Sequence, residues 1–235
     1  MEQKKVKRRS RIKKYLLVGL IAIIVLSIPA HFIWKNSGSG EWELSYDKPT
    51  RKVWSKKIPG QVWTQYKTYG QLEASMKTIV RFVRDPRAAE DAGVYDAQMI
   101  DSISPQLMYY SFKQKFLWPF KPREYVVKSN FVQDTLSKEI YTDFICFPDL
   151  VPREDNGCHR VEKMNNQWRF IPIGNGKVEY YYETDSEDPG GYFPYFLGNF
   201  MNEQIFIWLA DNMQDILNKK SYQEASDLEY VLNVE

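Results

Sequence analysis

From Tyr15 to Trp34 the chain reads YLLVGLIAIIVLSIPAHFIW, twenty residues without a formal charge at neutral pH. In a bilayer core of about 30 Å only an α-helix or a closed barrel satisfies its own backbone, and a helix needs about 20 apolar residues to cross. The run is therefore expected to be a spanning helix over 15–34. Tyr15, His31 and Trp34 sit at its edges, where amphipathic rings suit the headgroup region. Eight basic residues (Lys4, Lys5, Lys7, Arg8, Arg9, Arg11, Lys13 and Lys14) fall in the segment 1–14 that precedes it. By the positive-inside tendency the amino terminus stays cytoplasmic and the rest lies outside, periplasmic if the source is a diderm bacterium. The rival reading is a cleaved signal peptide, with an apolar region from Leu16 to Leu26 and cleavage near Ala30. Ile28 and Pro29 make a poor small-x-small site, and the apolar character continues to Trp34, which favours an uncleaved anchor.

The formal charge of +2 hides an asymmetry. Residues 36–235 carry 23 Lys and Arg against 29 Asp and Glu, a mildly acidic body with no reason to attract nucleic acid. Asn-Ser-Gly-Ser-Gly at 36–40 suggests a flexible linker over 35–41. From Trp42 no repeat or long charge block interrupts the chain, so one domain over 42–218 is expected, as a monomer. The acidic, poorly patterned tail over 219–235 receives no role.

Alternation predicts strands from Trp42 to Tyr46, Arg51 to Lys56 and Val62 to Tyr69, broken by Asp47-Lys48-Pro49 and Pro59-Gly60. A helix from Leu72 to Arg84 follows, capped by Ser75 and ended by Asp85-Pro86. Further strands are read at Asp96 to Ser104, Leu107 to Lys115, Glu124 to Asp134, Lys138 to Pro148, Arg160 to Pro172 and Lys177 to Glu183. A long helix from Phe193 to Leu217 closes the domain. The order makes an α+β fold, in which the only surface large enough to bury that helix is the concave side of a curved antiparallel sheet. Strand parity turns inward Met108, Tyr110 and Phe112, then Tyr125, Val127, Ser129 and Phe131, then Val178, Tyr180 and Tyr182. A filled core and a hollow one both fit such a set.

The stretch from Gln167 to Asn199 is the most informative: QWRFIPIGNGKVEYYYETDSEDPGGYFPYFLGN. A strand carrying Trp168 and reaching Pro172 precedes a hairpin at Gly174-Asn175-Gly176. Asp188-Pro189-Gly190-Gly191 then makes a turn into a helix holding Pro194 and Asn199. With Lys121-Pro122-Arg123-Glu124-Tyr125-Val126 upstream, this resembles the START (steroidogenic-acute-regulatory-protein-related lipid transfer) domain family over roughly residues 42–218. Two departures stand out. Tyr95 replaces a frequent Trp, and Tyr110 and Ser129 stand about where some sterol-binding members place a buried acid and arginine. The resemblance implies a helix-grip fold, the sheet wrapped round the closing helix, with a tunnel for one lipid that the protein carries or senses. It also implies a gate, placed at Trp118 to Pro122 and the closing helix. Candidate lining residues are Met108, Tyr110, Phe112, Tyr125, Val127, Phe131, Tyr180, Tyr182, Phe196, Phe200 and Gln204, the last a headgroup partner. The implied partners are a lipid and the membrane. A helix-grip cyclase or hydrolase and a closed-core scaffold are the alternatives.

No catalytic set assembles, and neither cofactor nor metal is expected. His159 is the only histidine outside the apolar run, which excludes a multi-His metal site. Cys158 and His159 are adjacent, so on a strand they point to opposite faces and form no dyad. Asp185, Glu187 and Asp188 read as solvated turn residues. Cys146 and Cys158 flank a connection centred on Pro152 and could face one another across strands. An oxidising compartment would permit a disulfide there, with free thiols the preferred reading.

Overall fold

The computed structural model describes residues 2–88, 90–116, 120–188, 190, 195–223 and 228–232. Helix α1 (Glu2–Asn36) contains a span, Lys13–Asn36, whose most apolar 18 residues have a mean hydropathy of 2.6, long enough to cross a membrane. The body is an α+β fold built on one large curved antiparallel sheet. Its strands are β1 (Glu43–Lys48), β2 (Arg51–Lys56), β3 (Gln65–Glu73), β4 (Val94–Ser102), β5 (Leu107–Gln114), β6 (Arg123–Gln133), β7 (Ile140–Cys146), β8 (His159–Arg160), β9 (Lys163–Gly174) and β10 (Lys177–Asp188). Along the sheet they run β1-β2-β3-β10-β9-β7-β6-β5-β4, with the short β8 lying parallel to β6. Helix α2 (Met76–Val83), a 3-10 turn (Glu90–Ala92), the long α3 (Tyr195–Leu217) and the short α4 (Lys220–Gln223) complete the fold.

Alternation drives the sheet. On β6, Arg123, Tyr125, Val127, Ser129 and Phe131 are all buried, and on β9 so are Met164, Asn166, Trp168 and Phe170. The outer side of β6 is covered by the connection from β7 to β8. There Arg160 pairs with Glu124 at 2.8 Å and donates to the carbonyl oxygens of Pro148, Val151 and Pro152. Ser75 caps α2, its hydroxyl accepting from the Thr78 amide at 3.1 Å. The helix starts later than its periodicity suggests, because Leu72 and Glu73 stay in register with Val178 and Lys177 and so extend β3.

Helix α3 is pinned by Asn199, which is 2% exposed. Its Nδ2 donates to Val62 O at 2.9 Å and Tyr195 O at 2.8 Å, and its Oδ1 accepts from Thr64 N at 2.7 Å. That rotation turns Phe196, Phe200 and Gln204, four residues apart, into an exposed outer stripe. The three therefore do not line the interior as the sequence suggested: apolar residues ring the first two turns of α3, and a buried asparagine rather than hydrophobicity sets its rotation. The helix start at Phe193 and Pro194 lies outside the described residues.

Two segment expectations change. Residues 35–41 are tied down: Gly60 N donates to Lys35 O at 2.8 Å and Gly40 N to Lys57 O at 3.1 Å. Lys57 Nζ donates to Lys35 O at 3.2 Å and Ser37 O at 3.4 Å, supplying a cation where the end of α1 presents carbonyls. Trp34 Nε1 donates to Val62 O at 2.9 Å, the acceptor that Asn199 also uses, and the His31 ring lies 5.1 Å from that of Tyr195. The tail also contributes to the fold. Tyr222, Leu228 and Val231 are buried in the main core, and Tyr222 Oη donates to Asp85 Oδ2 at 2.9 Å. Cys146 and Cys158 are not joined in a disulfide.

Candidate functional site

The sheet and α3 do not close on one another. Between them lies a cavity of about 200 Å³ walled by Phe112, Tyr125, Trp168 and Tyr182 of the sheet, Phe82 of α2, and Ile205, Trp208 and Leu209 of α3. A chamber of about 150 Å³ adjoins it, sharing Phe82, Phe112, Trp168 and Tyr182 and adding Tyr110 and Phe144. Stacked rings build the wall: Trp168 lies 4.2 Å from Tyr182 and 5.5 Å from Phe170, and Phe112 lies 4.7 Å from Tyr125. Rings in such offset arrangements are rigid, so the void is held open by side chains that do not collapse into it.

Of the residues expected to line a cavity, Phe112, Tyr125 and Tyr182 border the larger chamber, and Tyr110, Phe112 and Tyr182 the smaller. Met108 and Val127 pack in the cluster around Tyr110 and Tyr125, and Phe131 belongs to the main core. Burial pushes the Tyr110 hydroxyl well above the usual phenol range, so it stays neutral. Tyr180 lies elsewhere: it is the floor of a polar cleft of about 450 Å³ between β3 and the second half of α3. That cleft is larger than either chamber, yet Arg51 and Asp211 on its wall already pair at 2.9 Å, and Tyr46 Oη joins them at 2.6 Å. It reads as a solvated cleft rather than a site.

Sequence reasoning passed over Asn166, Trp168, Met164 and Phe82. Three of these are parity mates on β9, legible from the same alternation that singled out β10. Phe82 comes from α2, whose packing partner no local pattern names. Asn166 is 6% exposed; its Nδ2 donates to Tyr182 Oη at 3.0 Å and its Oδ1 has no partner among the described residues. Leaving a buried amide oxygen unmade costs about 1–3 kcal/mol, so it calls for an explanation.

The motif segments meet beside this cavity. The Arg123 guanidinium, 1% exposed, donates to Lys121 O and to Gly190 O, joining the strand entry to the turn before α3. Gly190 has φ +65°, and a Cβ there would overlap the His159 ring, which accounts for a glycine. Pro189, Gly191 and Pro194 of that turn, and Trp118 and Pro119 of the expected gate, lie outside the described residues. Among the described residues no group of three His, Cys, Asp or Glu side chains converges to hold a metal ion.

No protein-family model matches the chain. An uncharacterised protein of Pseudomonas aeruginosa is 24% identical over 183 residues, which cover 77% of this chain and 89% of that protein. Among solved structures, a STAR-related lipid transfer protein fragment from Xanthomonas axonopodis superposes with a TM-score of 0.68 at 20% identity, covering 77% of this chain and all of that one. Human STARD10 gives 0.66 at 15% identity over 85% of this chain and 82% of its own. Human StAR-related lipid transfer protein 5 gives 0.65 at 14% identity over 85% and 96%. The architecture is thus the helix-grip fold of START domains. In this chain an apolar amino-terminal helix precedes it.

Proposed function

We propose that this protein is a membrane-anchored carrier or sensor that holds a single hydrophobic lipid in the cavity beneath α3. One observation carries the reading: an apolar void bounded by the rings of Phe112, Tyr125, Trp168 and Tyr182 and closed by α3. A guest there gains about 0.8 kcal/mol for each CH₂ withdrawn from water. Carriage suits the lining better than catalysis does, since aromatic and aliphatic side chains dominate it. Its acid, Asp85, is engaged by the Tyr222 hydroxyl and by the Arg87 amide at 2.9 Å.

Helix α1 serves as an uncleaved anchor in this reading, its basic start in the cytoplasm and the domain on the extracytoplasmic side. The hydrogen bonds of Trp34 and Lys57 tie the last turn of α1 to the domain, so an uncleaved α1 would hold the domain close to its bilayer. The test is native mass spectrometry of the full-length protein released from detergent micelles after exposure to a bacterial lipid extract. One lipid adduct per chain is expected. A folded chain that stays empty across the extract contradicts the proposal.

A further inference from the structure

Helix α1 is covered on one face only. From Lys13 to Asn36 every residue is exposed except Ser27, Ala30, His31 and Trp34, which are half-buried. Their spacing of three, four and seven places them on one side of the helix. The His31 ring there meets that of Tyr195, the first described residue of α3, at 5.1 Å, and Trp34 Nε1 bonds to Val62 O. All four lie inside the uncharged run 15–34. If that face stood clear of the bilayer, only residues 15–26 would remain to cross it, about 18 Å of helix against a core of about 30 Å. A spanning α1 therefore carries the surface that touches it, the start of α3, down to the membrane boundary.

What α3 shows at that level is greasy. Phe196, Leu197 and Phe200 are 44%, 41% and 58% exposed, a contiguous patch that begins one residue after the His31 contact. The same stripe turns polar at Gln204, about 12 Å along the axis from Phe196. In the sequence no charge occurs between Asp188 and Glu203, whereas the exposed Lys35 marks the end of α1, where a long cationic side chain reaches the headgroups. Uncharged aromatic and aliphatic side chains at one end of a helix, giving way to polar ones, suit the boundary between headgroups and acyl chains.

One carbonyl fixes both orientations. Asn199 Nδ2 and Trp34 Nε1 share Val62 O, so the contact that turns the patch outward also holds the end of α1. The span acts as a bracket rather than a loose tether.

We propose that the first two turns of α3 lie in the interface of the bilayer leaflet where α1 ends, with Phe196, Leu197 and Phe200 against lipid. This rests on the reading of α1 as an uncleaved span and adds a second contact that the span alone does not require.

The test reconstitutes the full-length protein into vesicles of phosphatidylethanolamine and phosphatidylglycerol containing a phospholipid with a diazirine beside its headgroup. Irradiation is followed by mapping of the labelled residues by mass spectrometry. Label is expected on α1 and on Phe196, Leu197 and Phe200, and not on Leu136, a fully exposed hairpin residue. In Phe196→Glu/Phe200→Glu the label on α3 should be lost while α1 remains labelled and the unfolding midpoint in detergent stays that of the native chain, since both side chains are exposed. Label on α1 alone overturns the docking and leaves the anchor standing. So does α3 label confined to Ile205, Trp208 and Leu209, which face the cavity and report a lipid held inside it. Absence of label from α1 as well overturns the anchor reading and this inference with it.

Discussion

At the scale of single residues, close approach explains several choices that polarity alone does not. Gly70 on β3 stands directly opposite Tyr180 on β10, and a Cβ at position 70 would overlap the tyrosine ring. Gly70→Ala is expected to cost about 1–3 kcal/mol, the range of core overpacking. Tyr180→Phe is expected to be neutral or slightly stabilising, because the Tyr180 hydroxyl is buried without a partner among the described residues and its removal loses no bond. Urea unfolding of the two variants checks both; a clear loss in Tyr180→Phe would contradict the second. Asp211 carries a pH dependence. Burial alone would raise its carboxyl, but hydrogen bonds from Tyr46, Arg51 and Lys48 outweigh that and hold it below the ordinary carboxylate range. A depressed folded-state value means that the contribution is present above the unfolded value of about 3.9 and is lost as pH falls through the lower folded one. Stability should therefore fall more steeply below about pH 4 in the native protein than in Asp211→Asn. Parallel pH profiles from urea titrations would contradict this.

At the scale of elements, the strands were legible because alternation is a local signal. The inward parity on β5, β6 and β10 comes straight from their sequences, and all of Tyr125, Val127, Ser129 and Phe131 are buried. The rotation of α3 was not legible: apolar residues encircle its first turns, and the deciding contacts of Asn199 reach Val62 and Thr64 more than a hundred residues earlier. The tail escaped for a related reason. Tyr222, Leu228 and Val231 are too sparse to form a pattern, yet they pack beside Phe82 and Phe131 in the main core. Burying a large apolar side chain contributes about 1.5–3 kcal/mol, so truncation after Lys219 should lower the unfolding free energy by at least about 4 kcal/mol. Denaturant unfolding of the truncated chain measures it, and a loss below about 1 kcal/mol would show the tail to be dispensable. Glycine and serine signal flexibility only when nothing binds the backbone; in the segment 35–41 Lys57 and Gly60 do.

At the scale of the molecule, the resemblance in the Gln167 to Asn199 stretch pointed to the fold, while the hollow itself depends on how rings from six elements stack, which no single segment encodes. Trp168 and Trp208 face one another's element across that hollow. In the proposed account one lipid sits between them, the anchor keeps the domain beside its bilayer, and the shared acceptor Val62 O links the end of α1 to the start of α3.

The most direct measurement is quenching of tryptophan fluorescence by a brominated decanol in the full-length protein. Saturable quenching at one molecule per chain is expected, lost in the Trp168→Phe/Trp208→Phe double variant although five other tryptophans remain of the seven. Quenching that rises without saturation, or that persists undiminished in the double variant, would contradict a guest held between α3 and the sheet.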